Sequence, residues 1–440
     1  MRKIIVAGGG HGGIGAAALL AKNGFDVTVF EKNPRDKMGY DWTDIFDKKG
    51  FTAIGMPIPP RNMYNLKNNM TFFPPNLCNS LTQHTPEDQL ELQMERSDIY
   101  DLLISYAESC GVKFEFENAV LSPIVLGNRV CGINTEKGEY LADLVIDACG
   151  VDSPVRKNLP EFIGVQREAG KFEKFYVFRG FFERTAPIPK DNFRVHLLHN
   201  GILGISWVAI EEEHTDILIG RFDKFGMDEV EKELKILRQE QPALGEKLLR
   251  GGEFVTIPVR QPLSKMVADG YVAIGDSAFM TVPLIGSGIA NSLKAAKILA
   301  EVVTADTTGF SEKGLYEYQK EFYKNLGNGL APIACIKLVL TELTTDEVDY
   351  MFREGTLNTA DITMGADSNS LWKFLGGMYP SALLLKGKTL AKNPALAKKL
   401  AGMVARIGKV LTAVYSMPQI YSPTALKMWT KAYDSCFILK

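Results

Sequence analysis

The opening of the chain constrains the fold more than any other segment. Ile4-Ile5-Val6-Ala7 is a short apolar run of the kind that makes a strand buried on both faces. Gly8-Gly9-Gly10-His11-Gly12-Gly13 follows, with Gly8, Gly10 and Gly13 in GxGxxG register. Ala16 to Ala21 reads as a helix with a small-residue face, Gly24 ends it, and Asp26 to Glu31 reads as a second strand. Each glycine has a reason. Gly8 permits the tight turn, Gly10 lets backbone approach a pyrophosphate, and Gly13 lets the helix lie close to the strand. Gly12 completes the loop. Phosphates meet the free N–H groups and the positive end of the helix dipole. Glu31 stands where a carboxylate accepts bonds from a ribose diol and repels a 2′-phosphate. Lys32 beside it is a further candidate contact.

Two distant segments complete the pattern. Leu144 to Gly150 is a buried strand running into a turn, followed by Ser153 and Arg156. Gly270 to Ile274 is another strand, ending in Gly275-Asp276. Pro283-Leu284-Ile285-Gly286-Ser287-Gly288 then opens a long helix, Ile289 to Ala300.

On these residues the chain resembles the flavoprotein superfamily of geranylgeranyl reductases and para-hydroxybenzoate hydroxylase, over residues 1 to about 305. The resemblance implies FAD as cofactor. It places Asp276 at the ribityl chain and the Pro283, Gly286, Ser287 and Gly288 turn at the pyrimidine edge of the flavin. Helix-end N–H groups there would stabilise the charge of the reduced ring. Arg96, opening a helix that ends near Gly111, matches the arginine this superfamily sets near FAD, and Gly150 matches a glycine of its second motif. Gly204 to Val208 resembles the substrate-domain hairpin around a Gly-x-x-Trp, with Trp207 and Phe73 as substrate-side candidates. Two departures stand out. Ala209-Ile210 replace the reductases' Phe-Pro, and Cys149 replaces the hydroxylases' aspartate. Cys149 invites a redox reading, against which stands a small buried residue at a strand end.

The implied fold class is α/β. A three-layer Rossmann-like FAD domain (residues 1–46, 94–160 and 263–305) carries an inserted β-rich substrate domain (47–93 and 161–262) and a helical region (306–440). Met70 to Phe73 reads as one strand of the substrate domain. The aromatic run Phe175 to Phe182 reads either as a substrate face or as plain sheet core. No second GxGxxG unit exists for a nicotinamide. Electrons would come from NAD(P)H visiting a shared groove or from a protein donor.

Charge and cysteine usage narrow the rest. A net charge of −2 excludes a globally basic nucleic-acid binder. Six scattered cysteines without a CxxC pair read as reduced thiols of a cytoplasmic protein. His196 and His199 fall in a strand-like run, where their spacing sets them on opposite faces, so no metal is expected. From Ser368 to Tyr433 there are ten basic residues, Lys373 among them, and no Asp or Glu. Within this stretch Leu396, Leu400, Val404, Ile407, Leu411 and Val414 form an apolar stripe, with Lys398, Lys399, Arg406 and Lys409 off it. Residues 394–415 thus read as a basic amphipathic helix, either packed on the body or lying on an anionic membrane face.

The expected activity is reduction of carbon–carbon double bonds in a hydrophobic, isoprenoid-like or aromatic substrate by hydride from the flavin. The alternatives are an FAD-dependent aromatic monooxygenase or halogenase, and a redox-neutral flavoprotein at a membrane surface. The sequence fixes no catalytic residue and no oligomeric state.

Overall fold

A computed structural model describes residues 1–67, 69–188, 193–364 and 380–438. Lys373 lies outside the described residues. The N-terminal motif folds as its pattern dictates. Strand Lys3–Ala7 sits inside a six-stranded sheet in the order 267–268, 271–273, 144–147, 3–7, 26–30, 113–115. All its pairings are parallel except the one made by the edge strand Val267–Ala268. Buried on both faces, its central strands are unbroken apolar runs rather than alternating ones. Helix His11–Lys22 packs between helices Arg96–Ser109 and Ile289–Ala305 on one face. A three-stranded meander, residues 120–141, lies against the other.

A seven-stranded sheet, ordered 244–258, 174–184, 214–221, 204–210, 193–197, 70–73, 81–82, forms the second layer system. Met70–Phe73 is a strand of this sheet, paired in parallel with Phe193–Leu197. Here the strands alternate, because the two faces meet different partners. Phe178 and Phe182 pack under helix Met227–Glu240 with Val230, Leu234 and Leu237. Phe175 and Val177 point the other way, into a cavity. The aromatic run is therefore core on one face and cavity wall on the other.

The rest is helical. Helices Glu312–Phe322 and Asn328–Leu340 are joined by a π turn at Tyr323–Gly327, and Pro332 lies inside the second. Helix Pro394–Tyr415 starts on an Asn393 cap with Pro394 at its first turn. Leu396, Ile407 and Val414 of its apolar stripe are buried against the body, and it packs on Asn328–Leu340. Among the described residues no single helix is long and apolar enough to cross a membrane.

Candidate functional site

The glycine turn is held by steric necessity. Gly8 has φ +87°, and a Cβ on Gly8 or Gly10 would stand 2.8 Å from the carbonyl oxygen of Ala148. A Cβ on Gly13 would meet the Ala148 methyl at 2.5 Å, and one on Gly12 the Ser292 Cβ at 2.9 Å. Only glycines let the loop lie between strand 144–147 and helix Ile289–Ala305. The helix that follows is capped by no side chain at Gly10 and has no acidic residue in its first turn. Its first N–H groups are left to a ligand. Glu31 accepts the Gly9 N–H at 2.8 Å and the Asn33 N–H at 2.9 Å. A carboxylate offers about four lone-pair sites, so two bonds leave it capacity for a ribose.

The second half arrives from the far end of the sheet. Gly275 (φ +64°) and Gly286 (φ +72°) turn the chain, and Gly288 opens helix Ile289–Ala305, again with no side-chain cap. Asp276 accepts the Thr281 hydroxyl at 2.6 Å, and burial pushes its carboxyl above the usual range. Both uncapped helix ends, Glu31, Lys32, Gly150, Asp276, Pro283 and Ser287 line one cavity of about 1350 Å³.

Arg96 closes one wall. It pairs with Asp44 at 2.7 Å and lies over the Tyr40 ring at 4.3 Å from its centroid. Its Nε, the other Asp44 oxygen and the Trp42 indole N–H are buried without partners. His11 stacks on Tyr100 at 4.5 Å, and burial followed by the Arg96 charge holds its imidazole neutral, down to about 3. Orphaned donors and acceptors around a glycine cradle with two helix ends are the donor set a dinucleotide requires, and FAD fits it.

Beneath the cradle lies a network that sequence reasoning missed. Asp147, fully buried, accepts the hydroxyls of Ser153, Tyr271 and Ser277 and the Cys149 N–H. Ser277 also accepts the Gly150 N–H at 2.9 Å, so the two strand ends that border the cavity are bonded to each other. Arg156 donates to the Val151 and Ser277 carbonyls and stacks on Phe279, a structural role. Burial and then the Asp147 carboxylate raise the Cys149 thiol well above its ordinary pKa, which disfavours a thiolate nucleophile.

Trp207 lines the cavity, close to the buried Arg179–Asp216 pair. Phe73 does not. Strand parity sends Phe72 to the cavity and Phe73 to the opposite face, where it stacks on His196 at 5.4 Å. The opposite-face expectation for His196 and His199 is also corrected. The strand stops at Leu197, and Leu198 (φ +46°) and Asn200 (φ +55°) turn the chain back. The two imidazole centroids stand 4.6 Å apart.

Past the glycine-cradle residues the cavity continues into an apolar chamber built by the C-terminal helices. Ile333, Leu340, Met351, Phe352, Leu400 and Val404 line it. Leu400 and Val404 of the expected basic helix's apolar stripe thus stand at the cavity, with Val404 exposed at its mouth. One buried cation, Lys337, stands at this chamber. It donates to the Phe172 carbonyl at 2.7 Å, and burial holds its pKa at about 8.

A family model described as an NAD(P)-binding Rossmann-like domain matches residues 6–64, and one described as squalene epoxidase matches residues 239–391. The chain is 22% identical, over an alignment of 453 residues, to the digeranylgeranylglycerophospholipid reductase of Sulfolobus acidocaldarius, covering 98% of this chain and 96% of that one. A geranylgeranyl bacteriochlorophyll reductase-like structure from Thermoplasma acidophilum superposes with a TM-score of 0.71 at 19% identity, covering 91% of this chain and 99% of its own. The chain is similar along nearly its whole length to a digeranylgeranylglycerophospholipid reductase and shares the fold of a geranylgeranyl reductase-like structure. A halogenase structure is similar at lower score. The myxobacterial chondrochloren halogenase superposes at TM-score 0.57 and 19% identity, over 74% of this chain and 80% of its own.

Proposed function

We propose that the protein reduces carbon–carbon double bonds in a long isoprenoid-like lipid. The observation that carries this is the continuity of the flavin-side cavity with the apolar chamber of the C-terminal helices. Its volume of about 1350 Å³ must hold the cofactor as well as a substrate, against the few hundred to ~1000 Å³ typical of a single small-ligand site. FAD, held by the glycine cradle, would supply a hydride, and each double bond reduced would take that hydride and one proton. The protein's own work is placement. Helix ends at Gly10 and Gly288 hold negative charge, Arg96 and Asp44 fix the wall beside them, and Trp207 with Phe175 and Val177 presents an apolar face. The apolar chamber holds the unreactive tail. We assign no proton donor. The electron donor is NAD(P)H or a reduced protein, docking at the open side of the same cavity.

The test is anaerobic. Photoreduced protein is mixed with a digeranylgeranyl lipid and the flavin spectrum followed. Reoxidation, with a product heavier by two hydrogens per double bond, is the expected result. Failure to reoxidise without oxygen would refute it. An oxygenase reading is favoured by the squalene epoxidase match over residues 239–391 and predicts product oxygen only when O₂ is present.

Such a substrate lives in a bilayer, and we place the protein at the inner face of one. Lys398 and Lys409 of helix Pro394–Tyr415 are exposed, with Arg406 half-buried beside them. Charge reversal at these three positions is expected to abolish sedimentation with anionic vesicles. Unchanged sedimentation would remove the membrane contact.

A further inference from the structure

The sheet face opposite the lipid cavity carries a cluster that flavin chemistry does not use. Helix Met227–Glu240 covers this face, and Glu233 and Glu240 project from it two turns apart. Below them are His196 at the end of its strand and His199 in the turn that follows. His199 Nε2 stands 3.1 Å from one Glu240 oxygen, and His196 Nδ1 stands 3.6 Å from the other. The donor atoms of His196, His199 and Glu240 all lie within 4.8 Å of one another.

Two features set this cluster apart from an ordinary ion pair. His196 is fully buried with both ring nitrogens unpartnered, and the Glu240 oxygen facing it is unpartnered too. A buried polar group left without a partner is costly. In addition, His199 is held from behind. Its Nδ1 lies 2.6 Å from Glu233, which accepts the Ser206 hydroxyl at 2.7 Å and an Asn200 amide N–H at 3.2 Å. This carboxylate–histidine arrangement keeps a proton on Nδ1 and points Nε2 at Glu240, with which Nε2 shares a proton until an ion takes its place. Metal-ligating histidines are oriented in the same way.

We propose that His196, His199 and Glu240 form a site for one divalent transition-metal ion, Zn²⁺ by the class of its ligands. Tetrahedral Zn²⁺ with ligand bonds of ~2.0–2.1 Å separates neighbouring donor atoms by about 3.3 Å. The two histidines face different Glu240 oxygens, at 3.1 and 3.6 Å, and one donor atom from each residue lies within 4.8 Å of the others, so a small side-chain shift brings the three to that spacing. Two imidazoles and a carboxylate leave a fourth position, open toward the partly exposed side of Glu240 and the exposed Asn200. The ion replaces the proton shared between His199 and Glu240, so binding releases a proton and leaves the Glu233–Arg221 pair in place. Its effect reaches the lipid cavity through the backbone. Leu197 and Leu198, between the two histidines, line that cavity, so an ion clamping both histidines fixes the cavity wall from outside.

The experiment uses the full-length protein, stripped with a chelator and desalted. Zn²⁺ is titrated calorimetrically, its stoichiometry is measured after gel filtration, and Co²⁺ is added in parallel to read coordination from its visible absorption. One Zn²⁺ per chain and a tetrahedral Co²⁺ spectrum are expected. Both are lost in His196→Asn and Glu240→Gln and kept in His84→Asn. Glu233→Gln retains the site with affinity weakened about 10–100-fold. Glu240 is partly exposed at a helix end, so its variant is expected to fold, and circular dichroism checks this. Absence of stoichiometric Zn²⁺ in the wild type would overturn the proposal and leave a hydrogen-bonded histidine–glutamate network. Equal binding by His196→Asn and Glu240→Gln would overturn it as well.

Discussion

Lys337→Met tests the electrostatics of the apolar chamber quantitatively. Lys337 is buried among apolar neighbours at one wall of the cavity, and its pKa falls from 10.5 to about 8. Burial is the main cause. Glu173 partly offsets it, and Arg260 adds to the depression. The unfolded chain holds this proton up to about pH 10.5, whereas the folded chain releases it near 8. Relative to the charged form, the neutral amine therefore contributes stability that is present above 10.5 and lost as pH falls through 8. A depression of about 2.5 units, from 10.5 to 8, corresponds to ~3 kcal/mol carried as a penalty at pH 7. Methionine keeps much of the stem's volume and removes the charge. It also strands the Phe172 carbonyl, which costs ~1–2 kcal/mol. The variant should be ~1–2 kcal/mol more stable than wild type at pH 7. By pH 10 most of the relief is gone, and the variant should be equal or slightly less stable. Urea unfolding of both proteins at the two pH values, at one ionic strength, reads the change in their difference. A difference that is the same at pH 7 and pH 10 would mean that Lys337 is hydrated and the chamber wet, and the reasoning would fail.

Four further outcomes follow from the site. Arg96→Met leaves Asp44 charged and buried, so it should cost ~3–5 kcal/mol by thermal unfolding and release FAD on gel filtration. Glu31→Gln loses acceptor capacity at the Gly9 N–H and the ribose, and should weaken FAD retention about tenfold in an equilibrium binding assay, with little change in fold. Cys149 should resist iodoacetamide at pH 8 while the exposed Cys78 reacts, and Cys149→Ser should keep the reductive half-reaction; labelling of Cys149 in the folded protein would reopen a thiol role. Leu340→Trp fills the chamber without touching the cradle, so kcat/KM for a long isoprenoid chain should fall at least tenfold relative to a short one, with FAD content unchanged.

The parts of this molecule that could be read from sequence are those in which one short segment does one job. Gly8 to Glu31 is such a segment, because strand, turn, helix and carboxylate are contiguous and each glycine answers a local steric demand. Gly275-Asp276 and Gly286 to Gly288 were legible for the same reason. Phe73 was misplaced because a one-residue change of register flips a strand's faces, and nothing local says whether residue 72 or 73 points inward. The turn at 198–201 does carry a signal, the dipeptide Asn200-Gly201, but the strand-like run around it masked that signal, and Leu198 at φ +46° has none. Arg179 and Asp216 meet only through the pairing of two strands 37 residues apart. The chamber was illegible in principle. Helical periodicity in 394–415 shows which side is apolar but not whether that side packs tightly or stands off from its neighbours.

The division of the cofactor cradle between residues 8–44 and 275–292 has a consequence during synthesis. Chains emerge from the ribosome at ~5–20 residues per second, N-terminal end first. The first glycine turn is made early, yet strand Tyr271–Ala273, which flanks strand 144–147, and the helix beginning at Ile289 do not exist until two-thirds of the protein has been translated. Until then the growing chain presents a half-built sheet with strand 144–147 open along one edge. Cofactor capture is therefore a late event. Cells short of flavin should accumulate a full-length species whose two cradle segments have met but are not locked together, and that species should be the one degraded.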